Sequence, residues 1–105
     1  MKKSPSRDAA LAERQCRLCK LFSNPSKIRL LEELSGGECT VSQLTARTGI
    51  AQSNVSQYLA ALKSQDLLAS RRDGKFIYYA LAYPELGQAL RIFQSILDKK
   101  RKTQA

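Results

Sequence analysis

Apolar residues recur at helical spacing along two long stretches, one near each end of the sequence. The first stretch predicts a helix from about Asp8 to Phe22, and its apolar stripe consists of Ala12, Cys16, Cys19 and Phe22. The last stretch predicts a helix from about Pro84 to Lys99, and its apolar stripe consists of Leu86, Leu90, Phe93 and Leu97. Each stripe requires a neighbouring surface that covers it.

Two capping patterns mark the starts of further helices between these stretches. Asn24 followed by Pro25 is typical of a helix start, because Asn accepts a hydrogen bond from a free backbone N–H and proline suits the first helical position. Thr40 and Gln43 fit a capping box, which predicts a short helix to about Thr48. The middle of the chain is therefore helical as well.

A fourth helical pattern follows the turn at Gly49. It is the segment QSNVSQYLAALKSQD, whose apolar face consists of Val55, Leu59 and Leu62. Two short helices joined by a glycine-containing turn form a helix-turn-helix. Two β-rich runs then flank Asp73-Gly74, which is a strong hairpin signal. The predicted fold is a mainly α winged helix-turn-helix in the order α-α-α-α-β-β-α, in which the hairpin is the wing.

The distribution of charge adds an expectation about the partner. The 105 residues include 18 Lys and Arg against nine Asp and Glu, so the formal net charge is +9. No carboxylate occurs between Glu38 and Asp66, which is the helix-turn-helix region. A surface that faces phosphates excludes carboxylates, so this pattern favours nucleic acid. The basic ends predict a flexible segment of residues 1–7 and a tail of residues 99–105 around one domain of residues 8–98.

Composition also excludes several classes of protein. The chain has three cysteines, no apolar window long enough to span a membrane and no secretory signal, which predicts a reduced, cytoplasmic protein without a membrane partner. It has no His, no Gly-rich phosphate loop and no paired acidic site, so we expect neither an enzyme nor an organic cofactor.

The second helix of a helix-turn-helix enters the major groove of DNA, where short polar side chains reach base edges. The candidates on that helix are Gln52, Ser53, Asn54, Ser56 and Gln57, with Lys63 as a weaker one further along. The hairpin adds basic residues placed to grip the DNA backbone, namely Arg71, Arg72 and Lys75. A winged helix that binds another protein, with incidental charge, is a remote alternative that salt dependence would distinguish.

Three segments together resemble the ArsR/SmtB family of winged-helix repressors: LCKLFSNPSKIRLLEEL, TVSQLTARTGIAQSNVSQYLAALKSQDLL and SRRDGKFIYYAL. The resemblance implies repression at an operator, an imperfect palindrome in double-stranded DNA, from which an effector releases the protein. It also implies a homodimer built on the first and last helices, whose apolar stripes include Ala12, Leu86, Leu90, Phe93 and Leu97. Tyr58 departs from the family pattern, which usually has His there.

The family's usual ligand sites are absent, because the chain has no His and because Thr40 and Ser42 replace the cysteines of the arsenic site. Some members combine N-terminal cysteines of one subunit with a cysteine near the helix-turn-helix of the other. Cys16, Cys19 and Cys39 fit that plan loosely. Three thiolates suit a soft ion, with As(III) first and Sb(III), Cd(II) or Pb(II) next.

Two other interpretations of the cysteines stay open. Cys16 and Cys19 share an apolar stripe, so they would also pack well as small hydrophobes at the dimer interface. Alternatively, oxidation or persulfide formation that involves Cys39 would shift the dimer. Cys39 follows Gly36-Gly37 and Glu38, and we expect its thiol to be exposed.

Overall fold

The structure is a computed structural model that describes residues 5–104, and side chains are described for residues 8–102. Five helices and one β-hairpin make up this part of the chain. In chain order the elements are α1 (Pro5–Cys19), α2 (Pro25–Ser35), α3 (Val41–Thr48), α4 (Gln52–Ser64), β1 (Leu68–Asp73), β2 (Phe76–Leu81) and α5 (Glu85–Gln104). A single 3₁₀ turn, Lys20–Phe22, follows α1. The predicted winged helix-turn-helix order is confirmed.

The predicted caps account for the starts of α2 and α3. The backbone N–H of Lys27 donates to Oδ1 of Asn24 at 2.9 Å, and Pro25 occupies the first position of α2. At α3 both bonds of the capping box are present: the Gln43 N–H donates to the Thr40 hydroxyl at 3.1 Å, and the Thr40 N–H donates to the Gln43 side chain at 2.9 Å. These bonds satisfy backbone donors that a helix start otherwise leaves free.

The hydrophobic core lies where α2, α3 and α4 meet. Its most deeply buried side chains come from the apolar faces of these three helices and include Leu30, Leu31, Leu34, Leu44, Val55 and Leu62. Gly49 ends α3 with φ 73°, a left-handed conformation that glycine adopts without steric cost, and this turn aims α4 across α3. The apolar face predicted for α4 is therefore confirmed.

The two strands of the hairpin pair in a register that runs from Leu68 opposite Leu81 to Asp73 opposite Phe76. The two-residue loop is therefore Gly74-Lys75, one position later in the sequence than the predicted Asp73-Gly74. Gly74 has φ 62°, which is the positive value that a tight hairpin loop requires. A β-bridge between Cys39 and Tyr79 adds the loop before α3 to the edge of β2, through N–H···O bonds of 2.9 and 2.8 Å. The wing is therefore anchored to the helix-turn-helix.

The terminal helices differ from the prediction at their ends. Residues 5–7, expected to be flexible, form the first turn of α1, while residues 1–4 lie outside the described residues. The last helix, expected to end near Lys99, continues to Gln104. Lys, Arg and Gln are good helix formers, and positive charge near a helix C-terminus interacts favourably with the helix dipole, so the basic run extends the helix rather than ending it.

The apolar stripes of the terminal helices divide between the core and solvent. Leu86 and Leu90 are buried within the chain, whereas Phe93 and Leu97 are 56% and 59% exposed. Ala12 is also exposed. Two further isoleucines of α5 that the sequence analysis did not single out, Ile92 and Ile96, are exposed too. Within residues 5–104, none of the helices is long and apolar enough to cross a membrane.

Gly87 allows α5 to approach α2 closely, which gives a test of the packing. A Cβ atom added at this position would lie 2.6 Å from Cβ of Ser35. We expect Gly87→Ala to lower the free energy of unfolding by about 1–2 kcal/mol, because overpacking outweighs the gain in helix propensity. Urea unfolding at a fixed protein concentration measures this change.

The matched control is the same substitution in a Ser35→Gly background, where the clashing atom is absent. There we expect Gly87→Ala to be neutral or stabilising. An equal loss of stability in both backgrounds would show that close packing against Ser35 is not the cause.

Candidate nucleic-acid interface

The α4 helix presents a polar face to solvent and buries its apolar face. The five predicted DNA-binding residues in its first two turns are exposed, namely Gln52, Ser53, Asn54, Ser56 and Gln57. Val55, Leu59 and Leu62 on the opposite face are buried in the core. Lys63 is exposed in the last turn of the helix. The helix is therefore held by its apolar face and leaves amide and hydroxyl groups free for base edges.

Tyr58 ties α4 to the 3₁₀ turn after α1. Its side chain is only 5% exposed, and its hydroxyl donates to the backbone carbonyl of Leu21 at 2.8 Å. Burial raises the pKa of the Tyr58 phenol, so it stays a neutral donor at physiological pH. A bond between residues this far apart in sequence restricts how α4 can rotate about its own axis, and rotation decides which side chains face the groove.

A second set of hydrogen bonds supports the turn of the helix-turn-helix. Arg29 of α2 donates from Nη2 to the backbone carbonyl of Thr48 at 2.7 Å. The Thr48 hydroxyl donates to the Leu44 carbonyl at 2.7 Å and accepts from the Ile50 N–H at 3.2 Å. The bond from Arg29 satisfies the Thr48 carbonyl, one of the last carbonyls of α3 that lack intrahelical partners, and the bond from Ile50 satisfies a backbone donor of the turn.

Arg71 of β1 is engaged by a carboxylate from the loop before α3. Its Nε donates to both oxygens of Glu38, at 3.1 and 2.8 Å, and its Nη2 also contacts Glu38. Its guanidinium stacks over the Tyr78 ring at 4.5 Å from the centroid. The hydrogen bond from Arg71 holds the pKa of Glu38 below its usual value, so this carboxylate stays charged. Glu38 was not predicted from the sequence.

Arg72 lies on the opposite face of β1, because neighbouring strand residues alternate between faces. Its exposed side chain donates from Nε only to the carbonyl of Gly74, at 3.1 Å, within the hairpin loop. Lys75 is also exposed at the tip, with Nζ 5.6 Å from the centre of the Phe76 ring. Neither cation is paired with a carboxylate in the described structure. Their charges are therefore more available to phosphates than the charge of Arg71.

The structure places the three cysteines in different environments. Cys39 was expected to be exposed, and this expectation is wrong: its side chain is 1% exposed, because its β-bridge to Tyr79 turns it into the core. Burial raises the pKa of the Cys39 thiol, although Arg47, whose Nη1 lies 3.4 Å from Sγ, opposes part of the rise. Cys16 and Cys19 are exposed on α1.

No three ligating side chains converge within the described part of this single chain. Groups of three or more His, Cys, Asp or Glu residues placed to hold a metal ion are absent there. Cys16, Cys19 and Cys39 of one protomer therefore form no ligand set among themselves, whereas the set that the sequence suggested takes Cys39 from the other subunit.

Comparison with known proteins identifies the family. A family model described as "Bacterial regulatory protein, arsR family" matches residues 24–70, from the start of α2 into β1. The HTH-type transcriptional regulator CmtR from Mycobacterium bovis is 37% identical over 84 residues, which cover 80% of this chain and 68% of CmtR. The chain belongs to the arsR family.

Two solved structures share the arsR-family fold along nearly the whole chain. The first, from Mycobacterium bovis, is a homodimeric winged helix-turn-helix DNA-binding domain of a possible ArsR-family regulator; it has a TM-score of 0.81 and 29% identity, and covers 98% of this chain and 95% of that one. The second is the transcriptional repressor BigR from Xylella fastidiosa, with a TM-score of 0.75, 28% identity and coverage of 90% and 96%. The chain is a DNA-binding transcriptional regulator and not an enzyme, as predicted.

The two neighbouring arginines of the wing give a matched pair of variants. We expect Arg72→Ala to weaken binding to all DNA sequences alike, because it removes a phosphate contact. The salt slope, which is the slope of the logarithm of affinity against the logarithm of salt concentration, should fall in magnitude by about one per protomer. We expect the double variant Arg71→Ala/Glu38→Ala to change DNA affinity much less, since it removes two opposite charges that already neutralise each other. Fluorescence anisotropy with a labelled duplex at several salt concentrations measures both. Equal losses from the two variants would contradict this difference.

Proposed function

We propose that this arsR-family regulator is a homodimeric repressor that binds an imperfectly palindromic operator and leaves it when a thiophilic ion binds to α1. The observation that carries the DNA-binding part is the exposed polar face of α4, next to a wing whose Arg72 and Lys75 are free of carboxylates. Amide side chains on a helix of this kind suit adenine edges, and the wing cations suit phosphates.

The exposed apolar face of α5 supports the dimer. Four neighbouring positions at helical spacing carry large apolar side chains that are each about half exposed or more, namely Ile92, Phe93, Ile96 and Leu97. Leu11 on α1 is 56% exposed as well. A second copy of the chain would remove this surface from water. A two-fold axis through these helices would place two α4 helices in successive major grooves, about 34–36 Å apart.

The DNA part of the proposal predicts specific, salt-dependent binding. We expect a fragment from upstream of the chain's own coding sequence to be retained in a gel shift, more tightly than a scrambled duplex and less tightly as salt rises. Asn54→Ala should lower the preference for the operator by about 1–3 kcal/mol, because it removes a base contact rather than a phosphate contact. No retention at low salt would refute the repressor.

Cys16 and Cys19 are the cysteines best placed to bind an effector. Both thiols are exposed, and their spacing of three residues puts them on one face of α1, close enough to chelate one ion. Cys39 is a poorer ligand, because its thiol is buried and burial raises its pKa, which disfavours the thiolate that binds metals. We therefore assign the effector to the α1 pair, with As(III) first and Sb(III), Cd(II) or Pb(II) next.

Release of the DNA complex by arsenite tests this assignment. We expect Cys16→Ser and Cys19→Ser to bind DNA like the wild type and to lose release, since each removes one of the two protein ligands. We expect Cys39→Ala to be released at the wild-type arsenite concentration, because its buried thiol does not contribute. The readout is anisotropy of the labelled duplex as the ion is added.

Parallel titrations with cadmium, lead, peroxide and polysulfide separate the alternatives. Release by peroxide or polysulfide but by none of the ions would replace the ion sensor with a thiol redox sensor. Loss of arsenite release in Cys39→Ala alone would move the site to Cys39.

A further inference from the structure

A cleft of about 580 Å³ lies between the start of α2 and α4. Only one of its walls includes residues that were predicted to bind DNA. That wall carries Asn54 and Gln57 of α4, and the facing wall carries Ser26 and Lys27 of α2. We propose that the sugar-phosphate backbone of one DNA strand lies across this cleft, and that Lys27 binds a phosphate there. The inference rests on the proposed DNA-binding function and extends its surface to α2.

The width of the major groove predicts where the phosphates lie relative to α4. The major groove of B-DNA is about 12 Å wide, so a helix that reaches base edges has a line of phosphates close along each side. Asn54 and Gln57 are predicted to face the bases, and they border the same cleft as Lys27. Insertion of α4 therefore brings one strand of phosphates towards the start of α2.

The charge of the cleft suits this occupant. Lys27 is the charged residue among those that line it, and the lining residues in the described structure include no carboxylate. The remaining polar groups are amides and hydroxyls, which also bond to phosphate oxygens. A polyanionic strand therefore meets one cation and several neutral donors without repulsion.

Lys27 is already held at the edge of the cleft. Its Nζ donates to the backbone carbonyl of Lys20 at 3.2 Å, and its backbone N–H donates to Asn24. An ammonium group has three donors, so two stay available for phosphate oxygens. The bond from Tyr58 to Leu21 connects α4 to the same 3₁₀ turn that supplies the Lys20 carbonyl. Both walls are thus held relative to each other before DNA binds.

The test compares Lys27→Met with Lys102→Met, which removes the same charge from the exposed end of α5. The probe is a labelled 30-base-pair duplex of mixed sequence, because a phosphate contact does not depend on sequence. We expect Lys27→Met to lower affinity about five- to tenfold per bound protomer at 0.1 M salt, and to lower the salt slope by about one per protomer. Lys27→Arg should retain binding, and Lys102→Met should cost little.

A measurement on the wild-type chain avoids any effect of substitution on folding. Acetylation of lysines by an amine-reactive ester, read by mass spectrometry, should show Lys27 protected by the duplex and Lys102 still reactive. Equal acetylation of Lys27 with and without bound DNA would overturn the inference, as would equal affinities of Lys27→Met and Lys102→Met. If the wild type bound no duplex at low salt, the proposed function itself would fail.

Discussion

The burial of one face of α4 is the constraint on which the rest of the structure depends. Val55, Leu59 and Leu62 fill the core, so the polar face of the helix has to point outward. The hydrogen bond from Tyr58 to the Leu21 carbonyl adds a directional restraint to these non-directional contacts. Since the orientation of α4 decides which side chains reach the DNA bases, the contacts that stabilise the fold also define its DNA-reading surface.

The wing depends on the same core through the loop before α3. The bridge between Cys39 and Tyr79 attaches β2 to that loop, and the neighbouring Glu38 engages Arg71 of β1. The position of the wing relative to α4 is therefore set by backbone and side-chain contacts together. One consequence is chemical: the residue that looks like a third sensor thiol is a core residue at the base of the wing.

The terminal helices have a different physical role from the middle of the chain. Only the first part of the α5 stripe, Leu86 and Leu90, belongs to the core of the single chain, and the later part is left exposed. Under the proposed function, an ion bound to the exposed thiols of α1 would act on the arrangement of two subunits rather than on the core. A preference of a few kcal/mol for one arrangement is enough to change operator binding.

Local chemistry in the sequence was enough to predict most of the fold. The caps at Asn24 and Thr40, the apolar face of α4 and the hairpin signal at Gly74 depend on residues within a few positions of one another, so a linear pattern contains them. The same patterns predicted the exposed polar face of α4. The basic run at residues 99–102 was expected to be a tail because of its charge, but Lys and Arg also favour helix, and α5 continues through it.

Only the tertiary structure decided which charges and thiols are available. The ion pair of Glu38 with Arg71 and the bridge that buries Cys39 join residues that are 33 and 40 positions apart, and no local pattern records such pairs. The cleft beside Lys27 likewise exists only because α2 packs beside α4. The sequence by itself determined the helices, the hairpin and their amphipathic faces, whereas long-range packing determined which side chains those faces leave exposed.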